Sequence, residues 1–165
     1  MSEAADYSVL SAEFTSSYEP PDIESNYKGT MVVICIDPRV NSFVSSVLPY
    51  AVIARNAGGR AKAALRDIVV SQEIAVRDVA VVHHTDCGMC HFSSDSLRQK
   101  IKQDNPGDEV VAKSVEEIDF DHIEDLEGSV RSDVEYLKAH PLVKKDTKVT
   151  GWVYDIKAGK ITRVD

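Results

Sequence analysis

The feature that most constrains this chain is an apolar strand running straight into a cluster of metal-type ligands. Residues 79–92 read VAVVHHTDCGMCHF. The run 79–82 is short, apolar and β-branched, the pattern of a strand buried on both faces. It closes on His84, Cys87 and Cys90. A strand ending in His-x-x-Cys can bring an imidazole and a thiol within reach of one cation. Zn²⁺ takes four positions from Cys, His, carboxylate or water, so further ligands must come from elsewhere in the chain.

A second apolar run, 31–36 (MVVICI), also reads as a buried strand. It carries Cys35 near its end, followed by Asp37, Pro38 and Arg39. Residues 42–48 form a candidate short helix stopped at Pro49, and 51–54 a further strand. That strand enters Arg55-Asn56-Ala57-Gly58-Gly59, whose paired glycines permit close backbone approach or positive φ. Residues 60–76 show the clearest helical stripe: Ala61, Ala64, Leu65, Ile68 and Gln72, widened by Val69 and Ile74. Residues 90–103 read as helix, broken by Asn105-Pro106-Gly107-Asp108, and 105–120 as a loop or insertion. Asp121 with Glu124 suggests a capping box opening a helix through Val130, Val134 and Leu137. Residues 148–155, carrying a core Trp152, and the short edge segment 160–164 complete the strands.

Strands alternating with helices predict an α/β fold, a mostly parallel sheet flanked by helices. In open sheets of this kind, sites form beyond the C-terminal strand ends. Cys35, the 55–59 loop and His84/Cys87 all fall at such ends. Residues 29–165 are therefore read as one α/β zinc-binding domain. Residues 1–28 are read as a helical arm, with Tyr7, Leu10, Phe14 and Tyr18 on one face and Pro20-Pro21 as its stop.

Composition closes off several function classes. The net charge of −8 over 165 residues, with no basic cluster, argues against a nucleic-acid partner. The absence of any run of about 18 apolar residues argues against a membrane span. Three clustered cysteines suit a reducing, cytoplasmic location rather than a disulfide framework. The acidic start predicts no secretory signal.

Cys35, His84 and Cys87 give three ligands and leave a fourth position open, as in catalytic zinc sites. Asp37 is a candidate for that position or for a hydrogen bond beside it, and Arg39 can hold it as a bidentate pair. Two other readings use Cys90: a Cys87-x-x-Cys90 redox pair, and a closed structural site of Cys35, His84, Cys87 and Cys90. His83, adjacent to His84, alternates away and is read as packing or solvent-facing. His91, His122 and His140 are read as surface residues.

The joint pattern of CIDPR at 35–39, RNAGG at 55–59 and HHTDCGM at 83–89 resembles the β-class carbonic anhydrases, in their short form. The resemblance implies one zinc per chain on Cys35, His84 and Cys87, with an Asp37–Arg39 dyad beside it and a substrate pocket at Asn56, Gly58 and Gly59. It implies hydroxide attack on the carbon of a small linear triatomic substrate. That substrate would be carbon dioxide, or carbonyl sulfide or carbon disulfide as in relatives of the short group. It also implies a homodimer or homotetramer with exchanged N-terminal helices. Pro38 and Cys90 depart from the family's usual residues.

Overall fold

The computed structural model describes residues 7–165, apart from the side chains at 9, 10, 13, 23 and 25. Five strands form one sheet in the order β2-β1-β3-β4-β5. They are β1 (Thr30–Cys35), β2 (Val52–Asn56), β3 (Asp78–His84), β4 (Lys148–Asp155) and β5 (Lys160–Arg163). Strands β2, β1, β3 and β4 run parallel, and β5 returns antiparallel to β4. The apolar runs chosen from sequence are the central strands. Met31, Val32, Val33 and Ile34 of β1 have no solvent exposure, as expected for strands covered on both sides.

The helices are α1 (Tyr7–Ser17), α2 (Ile23–Asn26), α3 (Asn41–Val47), α4 (Ala61–Ile74), α5 (Ser94–Asp104), α6 (Glu109–Glu116) and α7 (Leu126–Ala139). One core lies between the sheet and α4/α7, built from Met31, Val33, Val81, Ile68, Val130 and Leu137 among others. A smaller one, with Val32, Ile34, Phe43, Val82 and Tyr154, lies on the opposite face. The α4 stripe holds at Ala61, Ala64, Ile68 and Gln72, which are buried. Ile74 does not join it and is 79% exposed, because two residues past Gln72, at ~100° per residue, it points to the opposite side of the helix.

Three local expectations are corrected. Residues 105–120 are not simply a loop: Asp108 Oδ1 accepts hydrogen bonds from Val110 N and Val111 N and starts α6. Asp121 and Glu124 do not cap α7, which begins at Leu126. Asp121 instead sits at φ 51, its carboxylate 3.3 Å from Arg60. Trp152 is only half-buried; it packs at the margin of the smaller core, its Nε1 donating to Thr150 Oγ1. Residues 1–6 of the expected arm and the Leu10 side chain lie outside the described residues. Among these, no helix is long and apolar enough to cross a membrane.

Candidate metal centre

Strands β1 and β3 are hydrogen-bonded neighbours, with Ile34 opposite Val82. Their C-terminal ends therefore release Cys35 and His84 side by side. Cys87 comes from the turn after β3, where Asp86 takes φ 55. Aspartate tolerates this left-handed conformation better than most residues, and it swings Cys87 back towards the strand end. The ligand atoms of Cys35, His84 and Cys87 all lie within 4.8 Å of one another, and the three side chains are buried.

The donor set fits a tetrahedral cation. Two thiolates on zinc at about 2.3 Å stand about 3.8 Å apart; Cys35 Sγ and Cys87 Sγ are 3.8 Å apart, far from the ~2.05 Å of a disulfide. His84 Nδ1 lies 2.9 Å from the Thr85 carbonyl. A carbonyl only accepts, so Nδ1 carries the proton and Nε2 presents a lone pair. That Nε2 is buried with no hydrogen-bond partner. A buried unpaired acceptor is costly unless something takes its lone pair, and the two sulfurs beside it are the other half of the site.

Charge points the same way. The hydrogen bond from Cys87 draws Cys35 well below the usual thiol range, with His84 and the Asp37 amide adding to it against burial. Cys87 is pushed up, first by its bond to Cys35 and then by burial. Left to itself the sulfur pair shares one proton; a divalent cation displaces it and holds both as thiolates. Burial opposes a charge on His84, but the nearby Cys35 sulfur and the Thr85 carbonyl outweigh this and raise it.

Asp37 and Arg39 stand immediately after β1. The Asp37 carboxylate accepts from Arg39 Nε at 3.0 and 3.1 Å, from Nη2 at 2.7 Å and from the Arg39 amide at 2.8 Å. These bonds hold Asp37 at about 2. Pro38 fits the first position of a 3₁₀ turn, where its missing N–H and fixed φ cost nothing.

The 55–59 loop shapes the site from behind. Gly59 has φ 70, and a Cβ there would stand 2.9 Å from Cys35 N. Only glycine lets this turn approach the ligand strand so closely. Gly58, at φ 79, faces Met89 and Ile123. Asn56 closes the turn: its Oδ1 accepts from Arg60 N at 2.7 Å, and its Nδ2 donates to Arg60 O at 3.0 Å. Asn56 also lines a cleft of about 490 Å³ with Ala57, Arg60, Met89 and Phe120.

Several residues around the site have partners that the sequence alone does not reveal. Arg55 donates to Cys35 O at 3.0 Å, Asp37 O at 2.8 Å and Asn41 Oδ1 at 2.6 Å, pinning the end of β1. Arg60 is buried and forked onto Asp133 of α7, with both bonds at 3.0 Å. Asp133 also accepts from Ala61 N at 2.9 Å and so caps α4. His83 is not solvent-facing: it is fully buried, with Nδ1 2.8 Å from Ser129 Oγ and Nε2 3.3 Å from Asp133. Cys90 is exposed and outside the ligand cluster. His91 and His122 are exposed, as expected; His140 is half-buried, its ring 5.4 Å from that of Tyr136.

The known proteins that this chain resembles share this architecture. The sequence family described as Carbonic anhydrase matches residues 30–161. Beta-carbonic anhydrase 1 of Mycobacterium tuberculosis is 29% identical over 168 residues, covering 99% of both chains. A carbon disulfide hydrolase of Acidianus sp. is 28% identical over 159 residues, covering 84% of this chain and 78% of the other. A solved carbonic anhydrase from Glaciozyma antarctica superposes with a TM-score of 0.83 at 33% identity, each chain covered in full. With the family match spanning most of the sequence and the Cys/His/Cys cluster in place, the chain belongs to the β-carbonic anhydrase family.

Proposed function

We propose that this protein is a zinc enzyme that hydrates carbon dioxide to bicarbonate, with Cys35, His84 and Cys87 holding one zinc per chain. The observation that carries this is the buried pair of sulfurs 3.8 Å apart beside the unpartnered Nε2 of His84. Bound there, zinc supplies the Lewis acidity that makes water a nucleophile near neutral pH.

The chain's own residues do the rest. Asp37, ionised because Arg39 holds it at about 2, can only accept a hydrogen bond. It takes one from the attacking water and fixes where the oxygen lone pair points. Arg39 keeps both Asp37 oxygens occupied and so restrains the carboxylate from closing on the metal. We assign Asn56, Gly58 and Gly59 to the substrate pocket: the two glycines allow the turn to sit against the ligand strand, and Asn56 holds the turn's shape. The proton set free leaves through solvent buffer or a side chain.

A second reading keeps the site and changes the substrate to carbon disulfide or carbonyl sulfide, which are equally linear with one electrophilic carbon. The similarity to a carbon disulfide hydrolase favours it. A side-by-side assay of zinc-saturated protein decides: carbon dioxide hydration well above sulfide release supports the first reading. Sulfide release with negligible hydration would replace it.

We further propose a homodimer or homotetramer. Tyr7, Phe14 and Tyr18 of the arm are 78%, 63% and 51% exposed, a face that a second copy of this chain would cover. We also propose a cytoplasmic location, which reduced thiol ligands support because thiols persist there.

A further inference from the structure

We propose that Asp86 is a positioning residue for the Asp37–Arg39 dyad; the proposal rests on the zinc-site reading above. Arg39 has a second set of partners across the site. Its Nη1 donates to Asp86 Oδ2 at 2.8 Å, and its Nη2 donates to the Asp86 carbonyl at 2.8 Å. One residue thus receives the guanidinium through both side chain and backbone. The carbonyl faces Arg39 because Asp86 lies at φ 55, the same conformation that turns Cys87 inward. The other carboxylate oxygen, Oδ1, lies 3.2 Å from His91 Nε2, so His91 braces Asp86 from the outer side.

The guanidinium fork is therefore fully placed. Its Nε edge and Nη2 face Asp37, while Nη1 and Nη2 face Asp86. Without the second set, Arg39 would be a 44% exposed side chain held only by a carboxylate two residues away, free to swing into solvent and release it. Asp86 adjoins ligand Cys87, so the ligand loop and the dyad are fixed against each other by one residue. Planar, multidentate recognition of this kind is what lysine could not supply.

The test uses Asp86→Gly, which keeps the left-handed backbone open and removes the carboxylate, and Asp86→Asn, which keeps one acceptor. Both are made alone and with Asp37→Ala, and each is loaded with zinc for kinetics and with cobalt(II) for visible spectra. Asp86→Gly should keep one metal per chain and lose about tenfold to a hundredfold in kcat/KM. Its cobalt spectrum should change, because a released Asp37 carboxylate reaches the metal. Adding Asp37→Ala should abolish that change and make the Asp86 loss disappear, the signature of coupling. Asp86→Asn should recover most of the turnover. Wild-type turnover and spectrum in Asp86→Gly would overturn the proposal. So would metal loss in Asp86→Gly, or an equal loss with and without Asp37. If the wild-type enzyme turns over none of the candidate substrates, the functional reading fails by itself, while the cobalt spectra still decide the role of Asp86.

Discussion

Two arginine–aspartate forks flank the ligand cluster, and their surroundings give them opposite work. Arg60 and Asp133 are 10% and 5% exposed at the side chain, joining the 56–60 turn to α7. Arg39 and Asp37 are 44% and 15% exposed, at the rim of the metal centre. Both are bidentate. Breaking a buried pair strands a charge without solvent, so Arg60–Asp133 belongs to stability. In the rim pair the guanidinium is 44% exposed, so separating the two strands no cation away from solvent. Its carboxylate is therefore available for chemistry, and its contribution to folding is small.

The sharpest way to break this contrast is to truncate each carboxylate. Asp37→Ala should retain zinc and the wild-type melting temperature but lose about 10²–10³-fold in kcat, within the range of groups that steer a proton or its acceptor. Asp133→Ala should do the reverse. It should lose about 3–5 kcal/mol of stability, since Arg60 is left buried and unpaired, and keep the turnover of the molecules still folded. Denaturant melts and kinetics on both variants check this. Comparable stability losses in the two would erase the distinction.

Acid tests the buried fork directly. Burial alone would raise the Asp133 carboxyl, but the approach of His83 and the bonds from Arg60 and Ala61 N outweigh it and hold it at about 2. A group depressed on folding contributes stability above its unfolded value of about 3.9. That contribution should fade as pH drops from about 4 towards 2. The fold of metal-free wild type should therefore weaken in that window more steeply than that of Asp133→Asn, as measured by circular dichroism. Equal acid profiles would mean that Asp133 carries no such charge linkage.

Much of the fold was legible because the strands are short and β-branched, and α4 shows its period. The metal ligands were legible because each follows such a strand. The charged frame was not. Arg60 and Asp133 are 73 positions apart, and no local period connects a turn residue to the middle of a later helix. Asp86 lay inside the ligand motif, but its work depends on a left-handed φ that spacing does not reveal. The α6 segment is hidden because Gly107 and Asp108 carry the signature of a helix break, while Asp108 also caps the next helix.

Smaller effects are expected further out. Deleting residues 1–25 should convert the oligomer to monomer or aggregate by light scattering while leaving the two forks intact; an intact, active oligomer would show that the arm is a tail. Cys90→Ser should change least of all, keeping zinc and turnover, because Cys90 lies outside the ligand cluster.

The most direct test of the metal centre is X-ray absorption at the zinc edge of the purified protein, with metal content measured on the same sample. The expected result is one zinc per chain with two sulfurs at about 2.3 Å and the remaining neighbours nitrogen or oxygen at about 2.0–2.2 Å. A third sulfur would bring Cys90 into the site, close the open position and contradict the assignment of the centre as catalytic.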